Sequence, residues 1–320
     1  MQLLKNCAAV SAMAHAPFLG NAAPEFFGVR SFEELPTVPD LNLEMHKKWQ
    51  SFRESEDARY VGLVAPRVLI RLPYDAVENP VKGFNYTEDV VGVHSNYLWT
   101  HAANALVARM AKSFAKTGFA VDIVGPQAGG EVEDLPLHTY EVMGGVKQTK
   151  IPTEVLITDR REFELAEQGF IGLVARKDTD RATFFSAYST QKPATFGKSA
   201  EGLQAATNAR LGSQLPYLMC ISRLAHYVKV LQRESLGQSL ERADLERNLN
   251  AWISQYVADF DDPAPAVRAR RPLRQASINV EDVEGAPGFY RCAIHVRPWF
   301  KYNGAAFTLS LVGKLDKEKK

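Results

Sequence analysis

The stretch of this chain nearest to a chemical motif is Gly197-Lys198-Ser199. A phosphate-binding loop ends in such a tripeptide, its backbone amides cradling phosphates while its lysine reaches the terminal ones. That loop also needs a glycine at position 192, which here is Lys192, and it must leave a buried strand, whereas this segment follows a proline-containing loop. Continued as Ala200-Glu201-Gly202, the same residues miss the Gly-x-Ser-x-Gly spacing of a nucleophile elbow by one position. The spacing predicts instead a helix that begins after a Ser199 cap. A second glycine-rich stretch, "GPQAGG" at 125–130, has the wrong spacing for a dinucleotide fingerprint, and "EVEDLP" after it brings carboxylates where phosphates would need amides. It reads as a loop.

His94 and His101 are two helical turns apart, too far for the i, i+4 pairing that places two imidazoles on one metal. Asp159, Glu162 and Glu164 offer carboxylates for acid/base work, but Asp159 as helix cap with Glu162 three residues on reads as a capping box. The cysteines, Cys7, Cys220 and Cys292, are odd in number and far apart, which argues against a disulfide framework and for a reducing compartment. No catalytic set, no cofactor site and no metal site emerges.

What does stand out is a basic stripe: Arg223, His226, Lys229 and Arg233 recur every three or four residues, opposite Leu224, Val228 and Leu231. Arg268, Arg270, Arg271 and Arg274 form a second positive cluster in "RARRPLR". These charges are local, because 38 basic residues stand against 37 acidic ones, a balance that removes the usual signature of a nucleic-acid or membrane-surface binder.

The elements that must position these residues follow from periodicity. The opening "MQLLKNCAAVSAMAHAPFLGNAA" imitates a secretory signal, but His15 and Pro17 interrupt its apolar run, so a packed helix is expected. No window reaches the apolar length of a membrane span. A helix from Leu41 carries Trp49 and Phe52; "YVGLVAPRVLIRLPYD" is strand-like, with an edge position or a bend forced by Pro66. Next comes a helix capped by Ser95, with Leu98, Ala102, Leu106, Met110 and Phe114 on one face and Gly118 at its end. Strands are expected at Phe119–Gly125, Val155–Thr158, Phe170–Ala175 and from Ala182, with a short helix after Asp159. Two helices follow, "QLPYLMCISRLAHYVKVLQRE" and "SLERADLERNLNAWISQYVADF", the second with Leu245, Leu249, Trp252, Ile253 and Tyr256 inward.

The chain closes on a meander of "ASINVEDV", "FYRCAIHVRPW" and "FTLSLVG". In its middle strand Tyr290, Cys292, Ile294 and Val296 share one face, and Asn303-Gly304 supplies the second turn. The fold class is α/β (α+β), divided into N-terminal helices and linker at 1–59 packing on the C-terminal part, a middle α/β domain at 60–198, and a C-terminal core at 199–320 with two long helices and the meander.

Several long phrases, among them "HAPFLGNAAPEFFGVRSFEELP", "IPTEVLITDRREFELAEQGFIGL", "LPYLMCISRLAHYVKVLQRE" and "VEGAPGFYRCAIHVRPWF", resemble the large subunit of the type VI secretion contractile sheath, the TssC/VipB family, along essentially the whole chain and in the same order. Members of that family are usually longer at the N-terminus, so the chain resembles a C-terminal portion of one. The resemblance implies a phage-tail-sheath-like fold and a structural, non-enzymatic role in the bacterial cytoplasm. It also implies partners: a small sheath subunit of the TssB/VipA type, neighbouring copies of the chain, an Hcp-type inner tube, a baseplate, and a ClpV-type AAA+ ATPase that recycles the sheath. Nucleic acid and membrane insertion are not implied.

On this expectation Tyr290, Cys292, Ile294, Val296, Phe307, Leu309 and Leu311 belong to an inter-subunit sheet completed by a strand from another chain. Arg223, Lys229, Arg233, Arg268, Arg270 and Arg271 face the inner tube by complementary charge. The competing readings are a nucleotide-dependent α/β enzyme and a scaffold that does not polymerise.

Overall fold

The computed structural model describes residues 1–41, 46–142, 144–197, 199–234, 241–260, 263–282, 290–299 and 309–314. The helices are α1 (Gln2–Ala14), α2 (Lys47–Arg53), α3 (Ala102–Thr117), α4 (Asp159–Glu167), α5 (Ala200–Gly212), α6 (Leu215–Glu234), α7 (Arg242–Ser254) and α8 (Pro265–Arg270). The strands are β1 (Phe18–Asn21), β2 (Val61–Ala65), β3 (Arg67–Leu69), β4 (Trp99–His101), β5 (Glu131–Val132), β6 (His138–Val142), β7 (Val146–Lys150), β8 (Phe170–Ala175), β9 (Ala182–Phe184), β10 (Leu273–Asp282), β11 (Tyr290–Pro298) and β12 (Leu309–Lys314).

The larger sheet has the order β1-β2-β8-β9-β5, parallel from β1 to β8 and antiparallel from β8 to β5. Its central strands read "VGLVA" and "FIGLVA", near-continuous apolar runs of the kind that parallel strands buried on both faces require. One face is covered by an aromatic core in which Trp49 stacks on Phe170 at 5.2 Å between ring centres and Phe27 meets the same ring edge-on at 4.9 Å. The other face buries Leu106, Met110, Leu215 and Leu218.

The first 59 residues therefore do not pack chiefly on the C-terminal part, as expected, but on this sheet. They supply its edge strand β1 and most of its aromatic core. They also touch α6, through the turn at Glu56–Tyr60 and through the end of α1, where His226 Nε2 meets the Ala14 carbonyl at 2.7 Å. Buried Arg53 at the end of α2 donates to the carbonyls of Thr190 (3.0 Å) and Glu167 (2.8 Å), placing its charge at the C-terminal end of α4, where a cation is favoured.

Four local expectations are corrected. The segment Phe119–Gly125 is not a strand; Phe119 and Val121 enter the core around α6 and α7 while Ala120 and Ile123 enter the core under the large sheet. It is wedged between two cores, and it meets β9 through the Gly125 amide, which donates to the Phe184 carbonyl at 2.7 Å, without forming a ladder. At Val155–Thr158 the alternation is also real, with Val155 and Ile157 buried and Leu156 exposed, yet the ladder shrinks to one bridge between Thr153 and Val68. The helix expected from Ser95 starts only at Ala102, because Trp99–His101 pair with Arg67–Leu69, and cross-strand pairing overrides helical periodicity there. Leu98, ahead of the helix, and Phe114, near its end, are half exposed. Finally, α4 is capped by Thr158, whose hydroxyl accepts from the Arg161 amide, so the capping box at Asp159 and Glu162 is not made.

The run through Pro66 resolves as a bend. Its first half, β2, lies inside the large sheet, and its second half, β3, leaves to pair with β4.

Candidate functional site

The meander forms as its pattern predicts, an antiparallel sheet in the order β10-β11-β12. Cys292, Ile294 and Val296 from β11, with Ile278 and Val280 from β10, are buried against Leu245, Leu249 and Ile253 of α7 and Ile221, Leu224 and Val228 of α6. Tyr290 lies at the margin of that core. Burial lifts the Cys292 thiol to about 11 and that of Cys220 to about 12, so both stay protonated and act as small apolar groups. Leu309 and Leu311 lie in β12, opposite Val296 and Ile294 respectively. Phe307 and the Asn303-Gly304 turn lie outside the described residues.

The two edges of this sheet are not equivalent. Antiparallel strands point alternate backbone groups to opposite sides, and the outward groups of Leu273, Ile278 and Val280 on β10 already have partners. Asn250 donates through Nδ2 to the Ile278 carbonyl at 2.7 Å and accepts at Oδ1 from the Ile278 amide at 2.9 Å. Glu246 Oε2 accepts from the Val280 amide at 2.9 Å, and Arg242 Nη1 donates to the Val280 carbonyl at 3.4 Å. At the other end of β10, Leu273 donates to the Tyr256 carbonyl at 3.1 Å and its own carbonyl accepts from Ala258 at 2.8 Å. One row of α7, Arg242, Glu246 and Asn250 at four-residue spacing, thus takes the place of a neighbouring strand. By contrast β12, among the described residues, has β11 as its one neighbour in the sheet. The sequence held a sign of this row, three polar residues four apart beside the apolar stripe of α7, but nothing in it says that the row faces a sheet edge.

The basic residues are scattered in role. Arg223 is not available to a partner: its guanidinium carbon lies 4.5 Å from the ring centre of Phe114, 4.9 Å from Phe119 and 5.3 Å from Tyr227, and Nη2 donates to the Tyr227 hydroxyl at 3.1 Å. Lys229 is half-buried near His15, whose imidazole is held below its ordinary range by burial first and by Lys229 and His226 next. Arg233 and Arg271 are exposed. Arg268 donates to the Pro263 carbonyl at 2.7 Å and lies 5.4 Å from the Trp299 ring centre; it and Arg270 line a separate cleft.

The motifs set aside on spacing take up other duties. Ser199 caps α5, its Oγ accepting from the Gly202 amide at 3.1 Å, while Lys198 lies outside the described residues. In the 125–130 loop the amides of Ala128 and Gly130 both donate back to the Gly125 carbonyl, at 3.3 and 3.0 Å. Glu164 is ion-paired with Arg160 and Arg161, and Glu162 accepts from Ser186 Oγ at 2.5 Å, its carboxyl pushed up by burial. Among the described residues no three His, Cys, Asp or Glu side chains are grouped to hold a metal, and no helix is long and apolar enough to cross a membrane.

One polar cluster was invisible in the sequence. The Glu154 carboxylate, fully buried, takes both arms of the Arg67 guanidinium, with Arg67 Nε at 2.8 Å. Beside it His94 Nδ1 lies 2.8 Å from Glu33 Oε1 and 2.7 Å from Lys150 Nζ. Burial, reinforced by Lys150 and Arg67, holds His94 down at about 4. Residues from four distant stretches meet here, and their hydrogen bonds tie the irregular segment at 151–158 to β3, where Glu154 N also donates to the Arg67 carbonyl at 2.9 Å. The arrangement is a clamp: its buried carboxylate is already bound in a fork.

Comparison with known proteins gives two family matches. Residues 1–191 match the family described as VipB, "EvpB/VC_A0108, tail sheath N-terminal domain", and residues 204–315 match VipB_2, "EvpB/VC_A0108, tail sheath gpW/gp25-like domain". A relative from Pseudomonas aeruginosa, the type VI secretion system sheath protein TssC1, is 40% identical over an alignment covering all of this chain and 64% of the relative, so the chain spans just under two thirds of that protein's length.

Proposed function

The chain belongs to the VipB tail sheath family, and from that premise we propose that it is the large structural subunit of a type VI secretion sheath, joined to its neighbours by a partner's strand added beside β12. The observation that carries this reading is the asymmetry of the terminal sheet. An edge strand is a liability unless something covers it, and here α7 occupies β10 through Arg242, Glu246 and Asn250 while β12 keeps one neighbour among the described residues. The apolar face through Cys292, Ile294 and Val296 anchors the sheet to its own helices, so the intermolecular bond is made by the backbone of β12 and not by those side chains. Backbone pairing of this kind holds subunits together through rigid-body rotation, which suits contraction driven by a change of packing between two sheath states.

In the same reading the chain pairs with a small TssB/VipA-type subunit, polymerises around an Hcp-type inner tube from a baseplate in the bacterial cytoplasm, and is recycled through a ClpV-type ATPase. Lys229, Arg233 and Arg271 form the charged contact with the inner tube; Arg223 is withdrawn from that role by its aromatic cage.

Removal of the residues after Tyr302 tests the strand. Co-expressed with the small subunit, the truncated chain is expected to give soluble protein and no sheaths by electron microscopy; sheaths of normal length and yield would refute the reading. Single prolines at Ser310 and Leu311 separate folding from assembly. Adjacent residues of β12 point their amides to opposite sides, so one proline breaks the internal ladder and the other leaves the subunit folded but unable to assemble. Charge reversal at Lys229, Arg233 and Arg271 is expected to reduce inner-tube co-purification with extended sheaths, and unchanged co-purification would remove the charged contact.

A further inference from the structure

A cleft of about 600 Å³ opens between α3, the 125–133 loop, the start of α6 and α8. Its size falls within the roughly 300–1,000 Å³ range of ligand-binding pockets. The lining carries Arg109, Lys112 and Lys116, which share a face of α3, together with Arg268 and Arg270 of α8 and the half-buried Trp299. Five cations therefore converge from two elements that are distant in sequence.

The acidic residues on the lining do not cancel them. Glu131 and Glu133 lie within 3.3 and 3.6 Å of Arg181, a further cation, leaving Asp122 as the remaining carboxylate of the lining. Arg109 is oriented by one bond, from Nη1 to the Glu131 carbonyl at 2.7 Å, and its Nε is buried without a hydrogen-bond partner among the described residues. Lys112, Lys116 and Arg270 are exposed and enter no ion pair among the described residues.

We infer that this cleft is a docking site for an acidic peptide segment of a partner protein, one bearing two or more carboxylates around an apolar or aromatic side chain. Charge complementarity sets the sign of the occupant, because an excess of cations on the lining favours carboxylates and suppresses neutral or basic segments. The shape sets its class. The glycine-rich loop is not a phosphate cradle, since the amides of Ala128 and Gly130 are turned back on the Gly125 carbonyl, and the Trp299 ring on the lining offers an apolar surface that a bare phosphate would leave unused. What remains is a groove lined by cations of α3 and α8 with the Trp299 ring 5.4 Å from Arg268, the composition of a protein–protein hot spot. This goes beyond the sheath reading, and it separates Arg268 and Arg270 from the cations assigned to the inner tube.

The test is fluorescence anisotropy of the full chain with a pool of short labelled peptides carrying Glu or Asp around a Phe or Trp, their Gln and Asn counterparts, inorganic pyrophosphate and a single-stranded oligonucleotide as competitors, at low and high salt. The expected result is binding of the acidic peptides that weakens with salt and falls at least ~10-fold in the Gln and Asn counterparts and in the variant Lys112→Glu/Lys116→Glu/Arg270→Glu. These three side chains are exposed, so the variant keeps its fold, which circular dichroism verifies. Absence of acidic-peptide binding, equal binding of the neutral peptides, indifference to the triple variant, or displacement by pyrophosphate or oligonucleotide at lower concentration than by unlabelled peptide would each overturn the inference. None of these outcomes bears on whether sheaths assemble, so failure here and failure of the strand-addition reading are separable.

Discussion

Asn250 holds Ile278 by both of its backbone groups, Nδ2 to the carbonyl at 2.7 Å and Oδ1 from the amide at 2.9 Å. The side-chain amide reproduces what a neighbouring strand would offer, and it fixes which edge of the sheet is open. Asn250→Ala leaves both groups of Ile278 without their partner, at a cost of about 1–3 kcal/mol. Urea unfolding measures the loss, and light scattering should show increased self-association, since a newly opened edge recruits strands. Asn250→Asp keeps the acceptor but not the donor and should fall between. A wild-type midpoint and no added association in Asn250→Ala would show that β10 is protected by something else.

Arg223 fastens the end of α3 to α6. Its guanidinium lies against Phe114, Phe119 and Tyr227, beside Gly118, which ends α3 in the left-handed conformation at φ 82° and whose position, given a Cβ, would lie 3.7 Å from Arg223. Planar stacking is what an ammonium cannot copy, so Arg223→Lys is expected to cost about 0.5–2 kcal/mol in thermal unfolding, with Arg223→Ala costing more. If lysine fully restores stability, charge at the helix C-terminus and not stacking is the operative effect.

The clamp around His94 makes stability depend on pH. Its folded-state pKa, about 4, lies below the ordinary 6.5, so between these values the unfolded chain binds a proton that the folded chain refuses. The His94 contribution is therefore present above about pH 6.5 and lost as pH falls toward 4. Denaturant titrations across that window should slope more steeply for the wild type than for His94→Gln. Parallel curves would mean that Glu33, 2.8 Å from Nδ1, stabilises the imidazolium after all.

Two glycines with similar torsions should respond very differently to alanine. Gly129, at φ 90°, would place a Cβ 2.1 Å from the Asp122 carbonyl oxygen, whereas Gly144, at φ 95°, has nothing within 4 Å. Gly144→Ala bears the left-handed cost alone, about 1–2 kcal/mol. Gly129→Ala adds a backbone collision and should lose about 3 kcal/mol or more. Comparable losses would show that the 125–130 loop shifts freely.

What could be read directly from residues was whatever depends on neighbours in the chain. The 3.6-residue spacing of α6 and α7, the alternation in β11, the apolar run of β8 and the Ser199 cap each record a local requirement, since burying one stripe or one face needs only the right period. The meander and its inward side chains were legible for the same reason.

Where the sequence misled, a distant partner had decided. Phe119–Gly125 alternates because two cores grip it from opposite sides, Trp99–His101 leave the helix because β3 offers a ladder, and Thr158 takes the cap expected of Asp159. Composition and spacing also cannot state which cations are committed: Arg223 and Lys229 belong to one stripe in the sequence, yet the first is enclosed by three rings. The sequence by itself determined the main helices and the core strands and, through long family phrases, the family to which the chain belongs. Only the tertiary structure decided that β10 is closed and β12 is the other edge, because that depends on where α7 lies across the sheet, and backbone hydrogen bonds carry no side-chain signature from which to read it.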